Sequence, residues 1–117
     1  MVAIKRAYDP PSRGDGMRIL VDRLWPRGLK KETAHIDRWM REIAPSNELR
    51  RFFDHDPARW KEFRKHYRHE LRRPQVKPLL DDLLASARKE KLTLVYGARE
   101  ERYNQAAVLK ELLDAKL

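Results

Sequence analysis

The sequence predicts an α/β fold: a small, largely parallel sheet of about three strands with a cluster of helices packed on it. Three observations predict it. MRILVDR at 17–23 and LTLVYG at 92–97 carry continuous aliphatic centres, as inner strands buried on both faces do. Only helical patterns separate these two runs, which favours crossover connections and parallel pairing. Three short strands cannot cover so many helices symmetrically, so the helices are expected to gather on one side of the sheet.

Each element has its own local reason. VAIKRAY at 2–8 places Val2 and Ile4 in alternation, the pattern of a half-buried strand. DPPSRGDG at 9–16 is rich in turn formers and reads as a loop. Ile36, Trp39, Met40 and Ile43 recur at helical spacing, and Pro45 ends that predicted helix. Ser46 is the expected N-cap of SNELRRFFDH, which buries Leu49, Phe52 and Phe53. Asp56-Pro57 opens PARWKEFRKHYRHEL as cap plus first-turn proline, with Trp60, Phe63, Tyr67 and Leu71 as its buried stripe. A further helix starts at Pro78 and buries Leu79, Leu80, Leu83, Leu84 and Ala87. The last runs from about Asn104 to Ala115, with Ala106, Leu109, Leu112 and Leu113 inward.

Length and composition bound the functions. The 117 residues fit one domain, 1–117, with a core burying roughly two-thirds of the unfolded surface. With no cysteine, disulfides, thiolate nucleophiles and Cys-ligated metals are excluded. No apolar run approaches the ~18 residues of a membrane span, and the N-terminus lacks a signal-peptide pattern. The expectation is a soluble, cytoplasmic protein without membrane association. Twenty-seven Lys and Arg against 18 Asp and Glu leave a formal charge of +9. A field of that sign draws phosphates, on nucleic acid or on small molecules, and also serves plain solubility.

The candidate site lies beyond the two inner strands. In open α/β sheets ligands bind past the carboxyl ends of the strands. The first run delivers Asp22, Arg23, Trp25 and Arg27 there; the second delivers Tyr96, Gly97 and Arg99, followed by Tyr103 and Asn104. Arginine offers a planar fork for carboxylate or phosphate, Trp25 and Tyr96 offer flat surfaces, and Asp22 is the candidate catalytic base or orienter. Asn104, Ser46 and Asn47 sit at helix N-termini, whose free N–H groups attract anions. The alternative is structural: Asp22 paired with arginine, Trp25 under the turn, and Asn104 and Ser46 only capping.

Other candidates are weaker. His66 and His69 with Glu70 form HYRHE, which matches neither common zinc-helix order and brings no third ligand, so no metal is expected. His55, between Asp54 and Asp56, reads more simply as a dipole partner at a helix end than as a general base. RGDG at 13–16 lacks the lysine and spacing of a phosphate loop. The basic residues around helix 57–71 resemble a nucleic-acid surface, but Trp60 and Tyr67 face inward and cannot stack on bases.

KRAYDP, GMRILVDRLWPRGLKKE, IDRWMREIAPSNELRRFF, HDPARWKEFRKHYRHEL and LTLVYGAREERYNQAAVLKELL together resemble the YeaO-like branch of domain-of-unknown-function family 488. The likeness covers nearly the whole chain in order. It implies a small α/β protein and brings no activity, cofactor or substrate. It marks Tyr8, Asp9, Asp22, Arg23, Trp25, Pro26, Arg27, Gly28, Trp39, Pro45, Ser46, Leu49, Arg50 and Asn104 as motif positions. Members often carry a histidine just before that asparagine, where this chain has Tyr103. Longer relatives carry Cys and His nearby, and both are missing here.

Three functions follow. The first is a pocket for a small phosphorylated or carboxylated molecule, either binding it or acting on it as an enzyme. Arg23, Arg27, Arg50 and Arg99 would hold the anion, with Ser46 and Asn47 donating to it, Trp25 and Tyr96 stacking, and Tyr8 and Asn104 completing the wall. The second is a basic nucleic-acid-binding accessory protein. The third is a structural or partner-binding protein without a ligand. No cofactor is expected, and the oligomeric state is not specified.

Overall fold

The computed structural model describes residues 1–117. Four strands form one sheet: β1 Val2–Arg6, β2 Met17–Leu20, β3 Arg38–Trp39 and β4 Leu92–Tyr96, in the order β1-β4-β2-β3. Every neighbouring pair is parallel, with Ile4 beside Leu94 and Leu94 beside Ile19. The helices are α1 Lys31–Ala34, α2 Asn47–Phe53, α3 Trp60–Glu70, α4 Lys77–Lys89 and α5 Gln105–Lys116. No helix is long and apolar enough to cross a membrane.

Strand alternation divides the core into two unequal parts. Val2, Ile19, Leu92, Leu94 and Tyr96 turn one way, into a cluster of 20 buried residues that includes the inner sides of α2, α3, α4 and α5. Ala7, Leu20 and Val95 turn the other way, under a thin cover of Trp25, Leu29, Ile36 and Trp39. The one-sided packing follows from helix supply. α1 has four residues and buries only Ala34, so loops must cover the second face.

The predicted helix over Ile36–Ile43 is not formed. Its place is taken by β3 and a 3₁₀ turn at Arg41–Ile43. The backbone pairs with β2 instead: Asp37 N–H donates to the Arg18 carbonyl at 2.9 Å and Met40 N–H to the Leu20 carbonyl at 2.9 Å. Trp39 then faces the small cluster while its neighbour Met40 enters the large one. Opposite faces for adjacent residues is the period of a strand, and it uses both apolar side chains where a helix would serve only one core.

The second face also holds a polar network. The Asp15 and Arg18 side chains are buried, with Arg18 Nη1 2.6 Å from Asp15 Oδ2. Lys5 Nζ lies 3.1 Å from the same carboxylate, and Ser12 donates to it through its N–H and its hydroxyl. Arg18 is completed by the carbonyls of His35 and Ala34. Burial alone would raise the Asp15 pKa, but these donors outweigh it and hold the carboxyl well below its ordinary range.

Candidate functional site

A cleft of about 440 Å³ opens beyond the carboxyl ends of β2 and β4. Its floor is made by Asp22, two residues past β2. Asp22 Oδ2 accepts the Gly97 N–H at 2.8 Å, and Oδ1 accepts Gln105 Nε2 at 2.5 Å. The approach is so close that a Cβ on Gly97 would stand 2.7 Å from Oδ2 and 3.3 Å from the Pro26 ring. Glycine is therefore required at position 97 by space. Both donors to Asp22 are neutral, and burial dominates: it pushes the pKa up to about 6 against the opposing pull of Gly97 and Gln105.

The walls are apolar and the rim is basic. Phe53 and Phe63 stack at 4.4 Å between centroids, and Pro26, Pro45 and Ala98 continue the lining. Trp25 borders it edge-on to Trp39 at 5.5 Å, its indole N–H donating to the Leu29 carbonyl at 2.7 Å. Tyr103 adds a half-buried ring packed on Trp60 at 5.3 Å. Arg27 and Arg50 are exposed at the mouth, and neither takes part in a salt bridge. Tyr8 stands at the rim with its hydroxyl donating to the Arg27 carbonyl at 2.7 Å. His55 lines the wall from a turn in which Asp54 and His55 both adopt left-handed backbone, φ 44° and 54°. Two such non-glycine residues in succession hold strain of order 1–3 kcal/mol each.

Of the residues singled out in sequence, Tyr8, Asp22, Arg23, Trp25, Arg27, Arg50 and Asn104 border this cleft. Two of them are committed elsewhere. Arg23 donates to the carbonyls of Pro45 at 3.1 Å and Ala44 at 2.9 Å, fixing the turn before α2. Asn104 caps α5, accepting the Ala107 N–H at 2.9 Å and donating to the Glu100 carbonyl at 2.8 Å.

Four others stand apart. Tyr96 is buried in the large core, where burial raises its pKa, so its ring offers no stacking face. Arg99 is exposed and outside the lining. Ser46 caps α2 and turns to Glu70, donating to Oε2 at 2.5 Å, and Asn47 begins α2 away from the cleft. His66 lies 3.6 Å from Glu62, and no group of three or more metal-ligating side chains is assembled.

Sequence reasoning missed Gln105, Phe53 and Phe63 as lining residues. Gln105 lies 83 positions from Asp22, and only the β2–β4 pairing joins them. The one local signal was the Asn104 cap, which fixes where the first turn of α5 begins.

Comparison with known proteins gives a consistent set of relatives. The family model described as the inactive DUF488-N3 subclade matches residues 1–117. The chain is 44% identical to the uncharacterized protein YeaO of Escherichia coli (strain K12) over 113 residues, 96% of each chain. It is 35% identical over 115 residues to the uncharacterized proteins Mb3100c of Mycobacterium bovis and Rv3073c of Mycobacterium tuberculosis, 98% of this chain and 95% of each of theirs. No solved structure matches.

Proposed function

The chain belongs to the DUF488-N3i family, the inactive DUF488-N3 subclade, and from that premise we propose that the Asp22 cleft binds a small planar anion without turning it over. The observation that carries this reading is the convergence of two unpaired guanidinium groups on an apolar-walled cleft with a half-buried carboxyl at its floor. Arg27 and Arg50 suit the oxygens of a carboxylate or phosphate, for which a planar fork is shaped. The half-buried Trp25 and Tyr103 rings on the cleft wall suit the flat apolar part of the same molecule. The family's description as inactive favours retention over chemistry, and Tyr103 stands where relatives often carry histidine.

Asp22 gives the site a pH signature. Neutral, it can donate its proton to a ligand oxygen; ionised, it repels an anion. Affinity is therefore highest below about pH 6 and falls as pH rises through that value. Asp22→Asn isolates the carboxyl's share of that dependence.

The test is calorimetric titration with aromatic carboxylates and nucleoside monophosphates, with inorganic phosphate as the ligand lacking a planar part. At least one planar anion is expected to bind, and to bind more tightly than phosphate. Arg27→Ala and Arg50→Ala should each weaken it about tenfold, a loss of about 1.4 kcal/mol. A panel without binders, or binding indifferent to both arginines, overturns the reading.

A further inference from the structure

We propose that the outer side of α3, together with the exposed ring of Phe52, is a binding surface for single-stranded nucleic acid, separate from the Asp22 cleft. A groove of about 590 Å³ along α3 is lined by Arg64, Lys65, His66, Arg68, His69 and Arg72, with no apolar or acidic residue among them. Of the nearby acids, Glu111 is engaged by Arg64 and Arg68 and Glu70 by Ser46, while Glu62 lies 3.6 Å from His66. Lys65 and Arg72 are exposed and take no part in any salt bridge, and with His69 between them they line a basic path for a phosphate chain to follow.

An aromatic platform adjoins this path. Phe52, expected from its spacing to be buried, is 40% exposed. Its ring lies edge-on to His66 at 6.3 Å, so the groove and the platform share that histidine. Arg59 sits over the ring at 5.4 Å and is pinned there by donating to the Phe52 carbonyl at 2.6 Å. An exposed ring flanked by Arg59 and His66 beside a basic groove is the equipment that single-strand binders use: charge follows the backbone and the ring stacks on a base. The aromatics of α3 itself are engaged elsewhere: Phe63 and Tyr67 are buried in the core, and Trp60 packs against Phe53, Phe63 and Tyr103.

The same fact argues against a lipid surface. An interfacial helix needs an apolar stripe free to enter the bilayer, and the stripe of α3 is spent on the core. Duplex nucleic acid would meet the cations but leave Phe52 idle, because paired bases present no free face.

The experiment is fluorescence anisotropy with labelled single-stranded RNA and DNA oligonucleotides of mixed sequence, the corresponding duplexes, an acidic peptide, and vesicles containing phosphatidylserine. Single strands should bind best, with affinity falling about twentyfold or more between about 50 and 200 mM salt, as release of roughly three to four counterions requires. The double variant Lys65→Glu/Arg72→Glu should weaken binding by at least about tenfold. Phe52→Ala should weaken it about fivefold or more, the range of one lost base stack. Reversing Lys30 and Lys31, on the far side of the sheet, should change nothing, and unchanged unfolding midpoints certify that all variants fold. Single strands that fail to bind at low salt overturn the proposal. So does equal or tighter binding of duplex, peptide or vesicle, or binding that survives both groove and Phe52 variants.

Discussion

Strand β2 carries an aspartate two residues before it and another two residues after it, and the protein treats them in opposite ways. Asp15 is enclosed by Arg18, Lys5 and Ser12, and these donors hold its carboxyl ionised well below the ordinary range. Asp22 is half-buried with only an amide N–H and a glutamine for company, and its pKa is pushed up to about 6. Cations are not scarce in a chain of formal charge +9. Arg27 and Arg50 stand at the same cleft and leave Asp22 unpaired. A carboxylate closed off by cations is part of the frame. One left without a cation, at the carboxyl end of a parallel sheet, keeps a protonation change available to whatever enters.

The largest effect is expected on the closed side. Arg18→Ala should leave the buried Asp15 charge with the partly exposed Lys5 as its one cationic partner and lower stability by about 3 kcal/mol, read from denaturant unfolding. A loss below about 1 kcal/mol would erase the contrast. The opposite sign is expected for Asp22→Asn. The native Asp22 pKa is raised, so the folded state holds a proton that the unfolded state releases between about pH 4 and 6. Stability is thus favoured on the acid side and declines as pH rises through about 6. Asparagine still accepts from Gly97, and a flipped Gln105 amide can accept in turn. The variant should gain roughly 2–3 kcal/mol near pH 7 and lose the slope between pH 4 and 6. For Asp15 the sign reverses: its stabilisation is present above about pH 4 and fades as pH falls below that value.

Gly97→Ala should cost about 1–3 kcal/mol, because its Cβ must push aside Asp22 and Pro26. It should also abolish anion binding at the cleft. The smallest effect on stability belongs to Arg27→Ala, within about 0.5 kcal/mol, since its exposed guanidinium is in no salt bridge. If that variant instead destabilises the fold strongly, Arg27 belongs to the frame as Arg18 does.

The contrast also marks how far local sequence reaches. MRILV and LTLVY announced inner strands because burial on both faces leaves no polar alternation. Ser46, Asp56 and Asn104 announced helix starts because caps are local chemistry. The segment 36–43 misled because the spacing of Ile36, Trp39, Met40 and Ile43 fits one helical face as well as two sides of a sheet edge, and β2 is what decides. Around the site, Asp22, Arg27 and Trp25 were visible as an odd cluster at one strand end. Gln105 was not, since its contact with Asp22 exists only after β4 has paired with β2. Tyr96 and Arg99 misled for a related reason: following a strand places them near the cleft, but strand alternation sends Tyr96 into the large core.

The most direct test is the titration of the two carboxyl carbons by nuclear magnetic resonance on the same sample. Asp22 should titrate near pH 6 and move when a planar anion is added, while Asp15 should remain ionised far into acid and ignore the ligand. Two ordinary titrations near pH 4, or a ligand that shifts neither carbon, would contradict the account.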